Sequence, residues 1–222
     1  MLGWTVDWEL LRALTPAQAA DVEGALSVRE LARGELLFAE GDAGDSLYFV
    51  VTGHLATRVT TPGGDAVTFT VVGPGQALGE MALLRRSSRR SASAVALDAV
   101  DTRVLHQDVF FRLCAANPGI ERLLVGLLAA RVDRLSRHLL EALHLPVEQR
   151  LVRRLLETAR LYPAVAGEVV LPLTQDDVAG LTGTTRPTAN AVLRDLQSAG
   201  LLELGRGRVR LLDTAGLQRR GA

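Results

Sequence analysis

Apolar and polar positions alternate in two different rhythms along this chain, and the change of rhythm divides it. Thr15-Pro16-Ala17-Gln18 predicts a helix start, a threonine cap before proline at the first helical position. Ala19, Val22 and Leu26 form the apolar stripe of that helix. From Ser27 to about Leu105 the apolar residues come in short alternating runs broken by glycines. Residues 35–39, 46–51, 54–60, 66–72 and 92–97 are predicted strands. Gly41-Asp42, Thr52-Gly53 and Pro62-Gly63-Gly64 are the turns between them. Strands this short at this spacing predict a β-sandwich or barrel-like roll.

At Asn117-Pro118 the period lengthens to three and four. Ile120, Leu124, Leu127, Leu128, Val132, Leu135, Leu139 and Ala142 recur along a helix that runs to about His144. Glu121, Arg122, Arg134 and Arg137 occupy the opposite face. The helix is longer than a small roll can cover, so the seam through Leu128, Val132, Leu135 and Leu139 predicts a homodimer. Leu145-Pro146 ends it as a hinge, and a second helix runs from Val147 to about Leu161. Residues 169–173 are a short strand.

A compact helical pattern follows. Thr174-Gln175-Asp176-Asp177 is a capping box that starts a helix, with Val178 and Leu181 pointing inward. Gly183 makes a turn, Thr185 caps the next helix, and Pro187 is tolerated in its first turn. Ala189, Val192, Leu193 and Leu196 form the buried stripe. That leaves Arg186, Asn190 and Arg194 on one outward face, with Ala191 beside them. Gly200 stops the helix, and residues 201–204 and 208–211 flank Gly205-Arg206-Gly207 as a hairpin with a basic tip. Helix, tight turn, helix and hairpin make a winged helix-turn-helix. Arginine suits guanine edges and asparagine suits adenine edges, so the expected partner is double-stranded DNA. Hydroxyls and backbone N–H groups at the helix start suit phosphate.

Composition sharpens this picture in three places. Net charge is zero, with 25 arginines against 25 acids and no lysine. The charges are unevenly spread: residues 1–143 hold 14 arginines and 17 acids, whereas residues 144–222 hold 11 arginines and 8 acids. A basic C-terminal part agrees with a phosphate backbone as partner. Cys114 is the single cysteine, so no disulfide or thiolate cluster forms within one chain, and a reducing, cytoplasmic setting is expected. No apolar run reaches the roughly 20 residues of a membrane helix, and the start of the chain does not read as a signal peptide. His54, His106, His138 and His144 show no metal-ligand spacing, so no metal is expected. No nucleophile–base pairing suggests an enzyme.

One further stretch carries chemistry. Gly79-Glu80 supplies a bend and a carboxylate, Met81, Ala82, Leu83 and Leu84 seat a short helix, and Arg90-Ser91-Ala92 supplies a guanidinium, a hydroxyl and small residues. A phosphate wants a forked cationic donor, and a ribose hydroxyl wants a carboxylate. Gly-Glu-hydrophobic-Ala followed by Arg-Ser-Ala resembles the phosphate-binding cassette of cyclic-nucleotide-binding domains. The run from Gly34 through Gly41 and Tyr48 to Gly53 is similar to the opening strands of the same β-roll.

From about Ala25 to Leu212 the chain resembles the Crp/Fnr family of bacterial transcription regulators. The resemblance implies an α+β protein with an N-terminal cyclic-nucleotide-binding β-roll over residues 1–117, a long dimerisation helix and hinge over 118–145, and a C-terminal winged helix-turn-helix over 146–222. It implies ligand binding by Gly79, Glu80, Met81, Ala82, Arg90 and Ser91, with Arg131 near the carboxylate and Leu135 and Ser136 near the base. It implies DNA contacts from Thr174, Gln175, Thr184, Thr185, Arg186, Pro187, Thr188, Asn190, Ala191, Arg194, Arg206 and Arg208. Cyclic AMP is the expected effector and RNA polymerase an expected partner. Two departures stand out. Leu135 occupies a position where cyclic-AMP-responsive members have a threonine that bonds adenine. Pro187 and Ala191 stand where the best-known member has charged base-reading residues, so its operator is not implied. Two other functions fit parts of the chain: a ligand-independent regulator of the same family, controlled by its amount, and a cyclic-nucleotide-binding module of an enzyme or channel. The winged helix speaks against the latter.

Overall fold

The computed structural model describes residues 15–61, 63–64, 66–83, 89–117 and 119–222. Its elements in chain order are α1 (Pro16–Gly24), β1 (Ser27–Leu31), β2 (Leu36–Phe38), β3 (Ser46–Thr52), β4 (Leu55–Thr60), β5 (Ala66–Val72), β6 (Ala77–Leu78), α2 (Glu80–Leu83), β7 (Ser93–Ala96) and β8 (Val100–His106). There follow α3 (Gln107–Ala116), α4 (Gly119–His144), α5 (Val147–Ala159), β9 (Val169–Leu171), α6 (Gln175–Thr182), α7 (Arg186–Ser198), β10 (Leu202–Gly205), β11 (Arg208–Leu211) and α8 (Thr214–Arg220). They form two compact units. One runs up to Thr57 and resumes over Val72–Leu135; the other joins Arg58–Val71 to Ser136–Ala222.

Two four-stranded sheets, ordered β1-β8-β3-β6 and β2-β7-β4-β5, make a roll. Alternate residues turn inward, and Leu31, Leu37, Val50, Leu55, Val72, Leu78, Ala94, Ala96 and Val100 meet in one core. A second cluster on the other face of β3 gathers Leu47 and Phe49 with Val22 of α1 and Phe110 and Cys114 of α3. Burial pushes the Cys114 thiol up to about 11, which leaves it a packing residue. The expected helix start is present: the Gln18 amide donates to Thr15 Oγ1, and the Thr15 amide to Gln18 Oε1.

Strands β1, β6 and β8 and helices α3 and α8 were not among the predicted elements. For β8 the reason is physical: two of its inward or covered positions are polar. Thr102 is fully buried and satisfied by donating to the Arg29 carbonyl at 2.8 Å. Arg103 donates to the Thr102 carbonyl at 2.9 Å and pairs with Asp101. Such residues break the apolar alternation without breaking the strand. In β1 only Leu31 is buried, so no alternation exists to read.

In the second unit, α5 buries Leu151, Val152, Leu155 and Ala159 on one face, packed against α6, α7 and α8. The three-stranded sheet β10-β11-β9 buries Leu202, Leu171, Val209 and Leu211. Leu173 and Leu217 complete the interior. The C-terminal half of α4 is tied to α5 by charge: Arg154 bonds Glu141, Glu157 and His138, and Arg153 Nη1 reaches Glu141 Oε1 at 3.2 Å.

Candidate functional sites

Gly79 opens the first site. Its φ is +94°, and a Cβ there would lie 2.6 Å from Arg90 Nη1 and 2.8 Å from the Ser46 carbonyl oxygen. Only glycine fits, for both reasons at once. The bend turns the chain into α2, whose first residue, Glu80, is 1% exposed. A buried carboxylate needs a cation, and Arg131 of α4 supplies it by donating to Oε1. Glu80 Oε2 keeps no protein partner.

Arg90 is 4% exposed. Its guanidinium carbon sits 4.4 Å from the centroid of the Phe38 ring and 5.4 Å from that of Tyr48. Nη1 donates to the Gly79 carbonyl at 3.2 Å, Nη2 lies 4.0 Å from Asp45 Oδ1, and Nε has no protein partner. Burial lowers the Arg90 pKa, against the raising effect of Tyr48, Asp45 and Glu80. Two buried ionised groups, each with an unused polar atom, therefore flank one tight turn. A buried carboxylate oxygen and a buried guanidinium N–H that lack protein partners have the chemistry to take a hydroxyl and an anion, the two groups of a phosphorylated sugar. Ser91 and Met81 are exposed beside them. Leu84, expected in this short helix, lies outside the described residues, as do the side chains of Ala82 and Leu83. The aromatic seat of Phe38 and Tyr48 was missed from sequence. Both sit in the opening strands already singled out, but they meet under Arg90 from different sheets of the roll, which needs the fold.

The long helix leaves a stripe uncovered. Val125, Val132, Leu135, Leu139 and Leu143 are 65, 60, 40, 61 and 68% exposed and recur at three, four and seven residues. Ser136 is exposed next to Leu135.

The second site is built on α6 and α7. Thr174 caps α6 through a reciprocal box: the Asp177 amide donates to Thr174 Oγ1 at 3.1 Å, and the Thr174 amide to Asp177 Oδ2 at 2.9 Å. Gly183 ends α6 in the left-handed region, φ +67°, and Thr185 caps α7 by accepting from the Thr188 amide. Asp177 is buried and does more than cap. Its Oδ1 accepts from Thr68 Oγ1 at 2.5 Å and from Arg58 Nη2 at 3.2 Å, both in the β4–β5 hairpin segment. Burial alone would raise its pKa; the hydroxyls of Thr68 and Thr174, the Thr174 amide and Arg58 together hold it below the usual value. Gly180 lets the hairpin backbone close on α6, since a Cβ would lie 2.7 Å from the Thr68 amide nitrogen.

Ala189, Leu193 and Leu196 are buried under α7, with Val192 half-buried. Outward stand Arg186, Pro187, Thr188, Ala191 and Arg194, all exposed, with Thr184 half-buried before them. Thr174 is exposed and Gln175 half-buried at the start of α6. Asn190 departs from the expected outward face: it is half-buried and its Oδ1 is inaccessible. One helical turn from Arg186, it sits on the flank of α7, between the buried Ala189 and Leu193 and the exposed Ala191 and Arg194. The hairpin closes with Gly205 opposite Arg208, and Arg206 is exposed at its tip. Arg186 is not isolated; its Nη1 lies 3.3 Å from Asp176 Oδ2.

Among the described residues no group of three or more His, Cys, Asp or Glu could hold a metal, and no helix is long and apolar enough to cross a membrane.

Two segments of the chain match known domain families. Residues 28–117 match the cyclic nucleotide-binding domain, and residues 149–220 match the Crp-like helix-turn-helix domain. The chain is 30% identical over 209 residues to the cyclic AMP receptor protein of Thermus thermophilus, covering 94% of each. It is 28% identical over 214 residues to the CRP-like cAMP-activated global transcriptional regulator of Mycobacterium tuberculosis, covering 95% of each. The crystal structure of a CRP/FNR-family transcriptional regulator from Thermus thermophilus, 25% identical, superposes with a TM-score of 0.73 over 88% of this chain and 98% of that one.

Proposed function

Because the chain belongs to the Crp/Fnr family of DNA-binding transcription regulators and is not an enzyme, we propose that it is a homodimer gated by a cyclic nucleotide, with cyclic AMP as the effector. The observation that carries the ligand is the pair Glu80 and Arg90, both buried and each with an unused polar atom at one turn. A cyclic phosphate would take the Arg90 guanidinium and the N–H groups near Ser91, and the ribose 2′-hydroxyl would donate to Glu80. The base would lie near Leu135, which offers no hydrogen bond to an exocyclic amine. Selection of cyclic AMP over cyclic GMP is therefore weaker than a hydroxyl at that position would give. Relatives named for cyclic AMP support the same effector.

The stripe of Val125, Val132, Leu135, Leu139 and Leu143 would pair with its copy in a second chain, at heptad-like spacing. A dimer presents two copies of α7 to half-sites about 10 bp apart. Arg186 and Arg194 would read base edges, with guanine the partner of Arg186. Thr174, Gln175, Thr184, Thr185 and Thr188 would hold phosphates at helix starts, and Arg206 and Arg208 would hold phosphates from the wing. The setting is cytoplasmic, and RNA polymerase is the downstream partner.

A second reading has its own support. Glu80 is already neutralised by Arg131, and Arg90 already stacks on two rings. Ion pairing and stacking of this kind within one chain suit a regulator that binds DNA without ligand. One experiment separates the two: titration calorimetry with cyclic AMP beside DNA shifts with and without it. For the gated regulator, cyclic AMP binds, DNA affinity rises with it, and Arg90→Ala weakens binding by about ten- to a hundredfold, from loss of one charge-assisted bond. No heat of binding and unchanged DNA affinity would leave the ligand-independent regulator.

A further inference from the structure

We propose that Asp176 is a specificity-determining residue, which positions the Arg186 guanidinium for a guanine and holds it away from phosphate. The inference rests on the reading of Arg186 as a base-contacting residue. Arg186 Nη1 and Asp176 Oδ2 are 3.3 Å apart, and both side chains are exposed, 63% and 57%. An exposed pair on mobile chain would mean little. Here both backbones are fixed. Asp176 directly precedes Asp177, which is buried and bonded by Thr174, Thr68 and Arg58. Arg186 directly follows the Thr185 cap, whose hydroxyl takes the Thr188 amide. Gly183, with φ +67°, sets the turn between the two helices.

The chemistry follows from the shape of the guanidinium. It has five N–H donors spread over two edges. Asp176 engages one terminal nitrogen, which restricts rotation of the fork and leaves donors for the O6 and N7 acceptors of guanine. The same carboxylate repels a phosphate oxygen that approaches the Arg186 guanidinium itself. Arg186 thus keeps a partner in free protein, and only an acceptor pair with the right geometry competes with it. Specificity is a difference of affinities, and this arrangement lowers the wrong one.

The test uses full-length protein and a duplex selected by it from a randomised library. Affinities are measured by fluorescence anisotropy for that duplex, for the same duplex with the base pair facing Arg186 replaced, and for unrelated DNA, across a salt series. Asp176→Asn is expected to reduce discrimination at that one base pair by about five- to tenfold, part of the value of a bidentate contact. Its binding to unrelated DNA should tighten, with a slope of log affinity against log salt steeper by about 0.9, one more phosphate contact. Asp176→Glu should keep most of the discrimination. Arg186→Ala is the control for the underlying reading. If Arg186→Ala loses discrimination while Asp176→Asn retains it, the role of Asp176 is overturned and Arg186 stands. If neither loses it, Arg186 does not read a base, and both ideas fall. A role for Asp176 confined to stabilising α6 would lower the melting temperature of Asp176→Asn and leave discrimination and salt slope unchanged, which also overturns the proposal.

Discussion

Replacing Thr68 with valine removes one hydroxyl from a buried carboxylate and keeps the shape of the side chain. Thr68 is 2% exposed, and its Oγ1 donates to Asp177 Oδ1 at 2.5 Å. A hydrogen bond to a charged group is worth roughly 1.5–3 kcal/mol. Two facts hold the net loss toward the lower end. Arg58 Nη2 remains 3.2 Å from the same oxygen, so no carboxylate atom is orphaned. The added methyl is buried, which returns up to about 0.8 kcal/mol. The expected cost is about 1–2 kcal/mol, or about 4–16 °C in melting temperature for a unit of around a hundred residues. A pH signature should accompany it. The folded pKa of Asp177 lies below its unfolded value, so its contribution is present above the unfolded pKa and is lost as pH falls through the folded one. Losing the Thr68 donor raises the folded pKa and begins the acid loss at higher pH. The assay is thermal unfolding by circular dichroism between pH 3 and 7, with hydrogen exchange of the α6 amides as the local readout. Thr68→Ser, which keeps the hydroxyl, should lose much less on both readouts. Wild-type stability and α6 protection in Thr68→Val, or equal losses in Thr68→Val and Thr68→Ser, would refute the reasoning.

Three further outcomes are expected. Gly79→Ala must adopt a positive φ of 94° and push against Arg90 and the Ser46 carbonyl, so it should cost at least about 1–3 kcal/mol in thermal unfolding; a neutral melting temperature would show that the turn can relax. Burial would raise the Glu157 carboxyl, but His138 and Arg154 hold it down to about 2. Its stabilisation is therefore complete above the ordinary carboxylate pKa and lost as pH falls toward 2, and Glu157→Gln should flatten that limb in urea melts from pH 2 to 6. Leu139→Glu puts charge on the exposed stripe of α4 and should convert a dimer to a monomer by light scattering at micromolar concentration, with little change in circular dichroism; a wild-type monomer would remove the premise.

Local rules were enough for much of this protein. The caps at Thr15, Thr174 and Thr185, the left-handed Gly183 and the wing hairpin all depend on residues within a few positions of one another, and each stands where the pattern places it. The two chemical stretches were legible for the same reason: their residues are contiguous, or recur at helical spacing. Composition-level reading also separated an alternating half from a helical half. Partnerships across long separations were not legible. Asp177 reads as a capping residue, yet it also accepts from Thr68, 109 positions away. Gly180 looks like an ordinary small residue, and only the approach of the Thr68 backbone makes it necessary. Arg90 could be named as a cation, but its seat on Phe38 and Tyr48 exists only once the two sheets of the roll come together. Strand β8 escaped notice because Thr102 and Arg103 are polar and still buried: the Arg29 carbonyl, brought by strand pairing, accepts from Thr102, and Arg103 bonds its chain neighbours Asp101 and Thr102. Helix phase also sets Asn190 on the flank of α7, beside the buried Ala189 and Leu193, and off the outward face. Periodicity and capping are set by neighbours along the chain. Desolvated charges, close backbone approach and the stacking of a guanidinium on rings from two sheets are set by distances that only the folded chain defines.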